Sequence, residues 1–282
     1  MIRAPPFIRP SGIDTPIGGF TLSHKNLMKK FAPWCIGAFL LLAMLAGSQP
    51  AIAADTNNTL TAEEKAAGWQ LLFDGTTFKG WHNFHKTDIA PGWQIKDGAM
   101  VCANPEQAGD IVTSNQFNWF EFELDYNITD GGNSGILYHV VGENNAGWPT
   151  WATGPEFQLL DNVNGHDAEP RQMSGWLYGL YQPPVDPKTG KPLDATKPVG
   201  EWNHIRLLVT PDKCEHGING VKYFEYVLHS DEFDAKVAAS KFGKPPLNVL
   251  PFGQSNIGAI ALQGDHGMIS FRNIKIRPIT PK

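Results

Sequence analysis

The densest run of titratable and amide side chains spans residues 154–167 and holds Glu156, Gln158, Asp161, Asn162, His166 and Asp167. If 155–160 is a strand, side chains alternate, so Glu156 and Gln158 share one face while Phe157 and Leu159 point the other way, into a core. Asp161, Asn162, His166 and Asp167 then fall in the loop at its end. One sheet face and its rim would gather carboxylates, an imidazole and amides, the inventory of general acid–base catalysis or of a metal site. The competing structural reading makes Asp161-Asn162 an Asx turn and Glu156 a surface charge.

Other residues carry weaker signals. Lone histidines such as His139 and His266 are most often hydrogen-bonding core or loop residues. His82 and His85 have loose metal spacing but no third ligand beside them. Eight tryptophans lie beyond residue 53, and flat indole faces suit the C–H faces of sugar rings, although most indoles fill cores. Trp148 and Trp151 sit in a Gly/Pro loop, which makes them the better candidates for ligand contact. Nucleophile-elbow, H-E-x-x-H, P-loop and dinucleotide motifs are absent, which argues against hydride and phosphoryl transfer.

The elements that must position these groups read as short strands. In Trp119–Ile128, Phe120, Phe122, Leu124, Tyr126 and Ile128 take one face and Glu121, Glu123, Asp125 and Asn127 the other, the period of an antiparallel sheet wet on one side. Asp97-Gly98 and Asn219-Gly220 suit tight type I′ hairpins. Further strands are expected at 134–140, 155–160, 205–210, 222–228, 257–263 and 268–276. The spacing predicts an all-β, antiparallel two-layer sandwich or jelly roll. Helix is confined to a capping box at Thr61-x-x-Glu64 and a short segment at Asp231–Ser240. Residues 182–200 are Pro-, Lys- and Asp-rich and aperiodic, either a functional loop or a floppy insertion.

The N-terminus divides into three. Residues 1–27 look like an over-extended start. Residues 28–53 read as a signal peptide, with Met28-Lys29-Lys30, an apolar Ile36–Ala46 and an Ala51-x-Ala53 cleavage site. Residues 54–282 form a single domain. The expected product is periplasmic or secreted, with no stable membrane insertion after cleavage. Removing 1–53 leaves 18 basic and 27 acidic residues, a net charge of −9 that argues against nucleic acid as a partner. Cys102 and Cys214 are too few to be a disulfide framework, so the core must carry the fold.

Taken together, the motifs resemble the 3-keto-disaccharide hydrolase domain family, long catalogued as a domain of unknown function. The resemblance runs from Leu71-Leu-Phe-Asp-Gly-Thr-Thr-Phe-Lys-Gly-Trp81 to Phe271-Arg-Asn-Ile-Lys-Ile276. Between them lie Asn133-Ser-Gly-Ile136, Glu156-Phe-Gln-Leu-Leu-Asp-Asn162 with His166-Asp167, Leu177-Tyr178, Gly200-Glu-Trp-Asn-His204, Glu215-His216, Ser240-Lys-Phe242 and Leu262-Gln-Gly-Asp-His-Gly267. The last carries one extra residue, Gly264. The resemblance implies a concanavalin A-like jelly roll that cleaves 3-keto-glycosides or 3-keto-disaccharides made by a separate sugar 3-oxidoreductase.

A ketone at C3 acidifies the C2–H bond, so a base can remove that proton and the enolate can expel the group at C1, with water adding afterwards. This route needs a base, an enolate stabiliser and an acid at the leaving oxygen, but no covalent nucleophile. Glu156 or His166 is the expected base. Asp161 or His266 is the acid or water-orienting group, and Lys241 or Arg272 the stabiliser. A divalent ion held by carboxylate and His could replace Lys241; no cofactor is otherwise indicated. His139, Trp148, Trp151, Gln158, Tyr178 and Gln263 are the expected substrate contacts. The rival is a non-catalytic, lectin-like carbohydrate-binding module, which would show an aromatic platform without convergent titratable groups.

Overall fold

Strict alternation of apolar and charged residues forces 120–128 to be extended with one dry face, and in the computed structural model Phe120–Ile128 is a strand whose five apolar side chains are all buried. The structure describes residues 56–165 and 172–280. The expected leader, together with His166 and Asp167, lies outside them.

The strands, in chain order, are β1 (Gln70–Leu71), β2 (Trp81–Asn83), β3 (Trp93–Lys96), β4 (Ala99–Cys102), β5 (Ile111–Thr113), β6 (Phe120–Ile128), β7 (Asn133–Val140), β8 (Glu156–Leu160), β9 (Asn203–Val209), β10 (Cys214–Ile218), β11 (Val221–Tyr226), β12 (Ala259–Leu262) and β13 (Ile269–Pro278). Two antiparallel sheets result. One has eight strands, in the order β11-β10-β9-β6-β13-β4-β3 with β1 added on β13; the other has five, in the order β2-β5-β12-β7-β8. The fold is an all-β sandwich, as the alternation required.

Both hairpins form at the anticipated dipeptides. Asp97 and Gly98 take φ of +49° and +72°, and Asn219 and Gly220 take +50° and +78°, the left-handed pair that a two-residue turn needs. The Thr61–Glu64 capping box opens α1 (Ala62–Ala66), and Ser230 caps α2 (Asp231–Ala239). Strand β10 escaped the alternation rule because Cys-Glu-His-Gly-Ile buries its polar members too: Glu215 and His216 are both buried.

The sheets meet through side chains of opposite origin. His216 of β10 stacks on Phe157 of β8 with ring centroids 4.5 Å apart, and the hydroxyls of Tyr138 (β7) and Tyr226 (β11) hydrogen-bond across the layer. Each fully buried Phe, Leu or Ile contributes on the order of 1.5–3 kcal/mol. Cys102 and Cys214 are free, buried thiols inside this core, and the Cys102 Sγ donates to the Gly264 carbonyl oxygen at 2.9 Å.

The five-stranded sheet turns its second face away from that core. Register fixes who shares it: Glu156 opposes Leu137, Gln158 opposes Gly135, Ala261 opposes both Leu137 and Val112, and His82 opposes Val112. Val112, Leu137, Val140, Ala259 and Ala261 form a smaller apolar cluster there, closed by Phe84 and Trp151.

Candidate active site

On this second face a cavity of about 230 Å³ is lined by Asn133, Trp151, Glu156, Gln158, Tyr178, Lys241, Gln263 and His266. Seven of the residues singled out from sequence for catalysis or substrate contact thus converge, and Asn133 is the one wall not anticipated as a contact.

Strand β8 supplies the centre. The alternation that sends Phe157 and Leu159 inward points Glu156 and Gln158 outward, yet Glu156 is only 7% exposed. The polypeptide accommodates its carboxyl by having no side chain at Gly135, where a Cβ would lie 2.2 Å from Glu156 Oε1. The outer edge of β8 is covered by the segment around Trp176–Tyr178: Tyr178 donates its backbone N–H to the Glu156 carbonyl at 3.0 Å, and the Gln158 backbone N–H donates to Trp176 O at 3.0 Å. This pairing brings the Tyr178 ring beside the carboxyl. Gln158 Nε2 donates to Asn133 Oδ1 at 3.0 Å, so the two amides orient each other across β7 and β8.

Lys241 arrives from a single helical turn, Lys241–Gly243, anchored by Phe242, whose ring stacks on Phe252 with centroids 3.6 Å apart. Its ammonium lies 4.4 Å from the Tyr178 ring centroid and 4.7 Å from that of Trp151, a cation between two π faces. His266 follows β12, with its Nδ1 hydrogen-bonded to the Asp265 carboxylate. That leaves the opposite ring nitrogen as the one a ligand can meet.

Electrostatics separates the groups. Burial pushes the Glu156 carboxyl up to about 8, against the pull of Lys241 and with some support from Asp110. The Asp265 hydrogen bond raises His266 above its ordinary value, opposed by partial burial. A carboxyl held high beside an imidazole whose protonated form is favoured is a pairing suited to proton transfer near neutral pH.

Asp110 had no signal in the sequence. It precedes the three-residue β5, too short to read from alternation, and burial raises its carboxyl to about 6. It accepts from Thr150 Oγ1, and from Gly264 N at 3.1 Å, tying the start of β5 to the turn that carries Asp265 and His266. Gly264 itself admits no side chain, since a Cβ would lie 2.4 Å from Gly109 O and 2.6 Å from Trp93 Cζ2. The extra residue of that motif is therefore packed, directly before Asp265 and His266.

Other expected residues are placed elsewhere. Asp161 accepts backbone N–H bonds from Gly131 (2.9 Å) and Val163 (2.9 Å), which lower its carboxyl despite burial. It faces a different hollow and acts as the turn former that the structural alternative described. Arg272, on the outer face of the larger sheet, lies 3.5 Å from Asp125 and stacks on Trp202 at 4.0 Å, a structural ion pair away from the cavity. His139 is buried among Trp119, Phe120 and Tyr138, bonds Asn118 O at 2.6 Å, and is pushed down to about 4 by burial, so it is a neutral core residue. Trp148 lines a neighbouring groove rather than the cavity. His166 lies outside the described residues. Among those residues no cluster of three or more His, Cys, Asp or Glu could hold a metal ion, and no helix is long and apolar enough to cross a membrane.

A 3-keto-disaccharide hydrolase of Bacteroides thetaiotaomicron is 32% identical over 237 residues, covering 75% of this chain and 79% of that protein. A crystal structure from Parabacteroides distasonis, provisionally described as a glycosyl hydrolase, is 32% identical with a TM-score of 0.69, covering 79% of this chain and 100% of the other. A second from the same organism, at 24% identity and TM-score 0.54 over 75% of this chain and 99% of that one, shares the fold. The family model described as 3-keto-alpha-glucoside-1,2-lyase-like domain matches residues 68–277, and the chain belongs to that family.

Proposed function

We propose that the protein cleaves 3-keto-glycosides by elimination and hydration. The observation that carries the reading is the convergence of Glu156, Lys241 and His266 on one cavity. A lectin-like module would need only the aromatic walls.

In this mechanism the Glu156 carboxylate takes the C2 proton. The C2–H electron pair moves into the C2–C3 bond and the C3 oxygen becomes an enolate, stabilised by the Lys241 ammonium. The enolate then collapses: a C1–C2 double bond forms, the C1–O bond breaks, and the departing oxygen takes a proton from His266. The product is a 2-hydroxy enone and a free alcohol or sugar. Water adding across C1–C2 places hydroxyl on C1 and returns a proton to C2, so the sum is hydrolysis. A raised carboxyl suits this step because basicity must approach that of the carbon acid. Gln158, Asn133 and Gln263 would hold ring hydroxyls, and Tyr178 and Trp151 would pack on the ring faces.

The substrate must come from an enzyme that oxidises C3 of a glycoside. We place the mature protein outside the cytoplasm, after loss of residues 28–53, which N-terminal sequencing of the native product tests directly.

The decisive assay incubates the protein with a 3-keto-glucoside in D2O, with and without chelator. Enone absorbance and deuterium at C2 of the released 3-keto-sugar support the reading. Sugar release with C2–H fully retained rules out the proton abstraction, and no release at all rules out the activity. Loss of turnover in chelator would move enolate stabilisation from Lys241 to a metal ion.

A further inference from the structure

A second hollow adjoins the cavity on one side. It is a groove of about 380 Å³ whose walls include Phe84, His85, Lys86, Trp148, Trp151 and Asp265. Trp151 lines both spaces, and the Asp265–His266 pair spans them, Asp265 on the groove and His266 in the cavity. The two together have the dimensions of a site for a small ligand, roughly 300–1,000 Å³.

The groove is built rather than incidental. His85 ties its two rims, with Nδ1 2.6 Å from Glu143 O and Nε2 2.9 Å from Trp148 O. The Trp148 indole rests on Gly142, where a Cβ would come within 2.4 Å of Cε3 and displace it. Phe84 and Trp151 close the small apolar cluster below. Phe84, Trp148 and Trp151 are each half-buried and line the groove together with Lys86 and Asp265, an aromatic wall with polar margins of the kind that suits a pyranose face and its hydroxyls.

We infer that this groove is the leaving-group subsite and that it takes the second pyranose ring of a disaccharide. This deepens the proposed elimination and rests on it. The reason is directional: the bond that breaks must present its oxygen to His266, so the departing ring extends past His266, and the groove lies there. Another hollow of about 330 Å³, lined by Gly179–Gln182 with Lys236, Ala239 and Ser240, shares no wall with the cavity. A ring leaving from C1 does not reach it.

The test compares kcat/KM for a 3-keto-disaccharide with that for methyl 3-keto-glucoside, whose leaving group is too small to fill the groove. Trp148→Ala should lower the disaccharide-to-methyl ratio about tenfold, Phe84→Ala should lower it less, and Lys236→Ala should hold it. An unchanged ratio in both groove variants, or a drop confined to Lys236→Ala, overturns the assignment. Taking a ratio makes the result independent of any loss of folded protein. A readout without turnover separates the subsite from the reaction: saturation-transfer NMR of free glucose, the departing sugar, should show contact with wild type and lose it in Trp148→Ala. Retained contact overturns the subsite even if the chemistry stands. Wild type that turns over neither substrate sinks the elimination, while the glucose signal still decides whether the groove holds a pyranose.

Discussion

Two buried glutamates, one on the outward face of each sheet, have opposite fates. Glu156 on β8 is 7% exposed and Glu215 on β10 is 8% exposed, so burial disfavours the charge of both. Glu215 nevertheless titrates down near about 2, because hydrogen bonds from Lys213 (2.6 Å), Arg206 (3.0 Å) and Lys222 (3.3 Å) outweigh desolvation. Glu156 is driven up to about 8, because the Lys241 charge only partly offsets it and Asp110 adds to it. The larger sheet spends its charges on each other: Glu121 pairs with Arg206 and Arg277, and Lys275 with Glu64 and Glu123. The smaller sheet holds a carboxyl out of balance, and perturbed groups of this kind cluster at functional sites.

The largest effect that would break this contrast is on turnover. Glu156→Gln should lower kcat by roughly 10²–10⁴-fold while leaving the melting curve cooperative, whereas Glu215→Gln should leave kcat within a factor of about two. Equal losses in both variants would mean that Glu156 acts through the fold and not through its proton.

Next in size is Gly135→Ala. Its Cβ would overlap the Glu156 carboxyl, so we expect about 1–3 kcal/mol of destabilisation together with a fall in kcat. Restored activity in the double variant Gly135→Ala, Glu156→Asp, relative to Gly135→Ala alone, would sharpen the assignment by showing that the carboxyl is the group displaced.

The smallest effects are in stability against pH, and their signs differ. Glu156 is raised above the ordinary carboxyl value of 4.5, so the folded state binds the extra proton between about 4.5 and 8. Stability should fall across that window by at most about 1.4 kcal/mol per pH unit, a slope that Glu156→Gln removes. Glu215 is depressed, so its contribution is present above about 4.5 and lost as pH falls towards 2. Because its cationic partners are 41–50% exposed, Glu215→Gln should cost only about 1–2 kcal/mol near neutrality. Chemical denaturation of both variants from pH 3 to 9 checks both slopes. Parallel curves would abolish the distinction between the two faces.

What could be read in advance follows the same division. Alternation along β6 and β8 is a local property, so the sandwich, the buried stripe of Phe120–Ile128 and the shared face of Glu156 and Gln158 were legible. Loop chemistry was not. Asp161 carries the same functional group as Glu156 five positions further along, but two backbone N–H groups claim it. Asp110 enters the site only because β5 pairs with β12, some 150 residues later, a contact with no signature in the residues around it. Lys241 and His266 were named through motif resemblance, since nothing in their local pattern says which cavity they reach.

The pleat of β8 has one more consequence. Its neighbouring residues serve opposite ends, Phe157 stacked on His216 within the layers and Glu156 in the wall of the cavity, so a one-residue slip would seat a carboxyl in the sandwich and a phenyl ring in the cavity. Insertions and deletions in that strand are therefore barred to descendants of this protein. New substrate preferences must be written in the loops at 84–86 and 142–149, where length can drift without moving the Glu156 carboxyl.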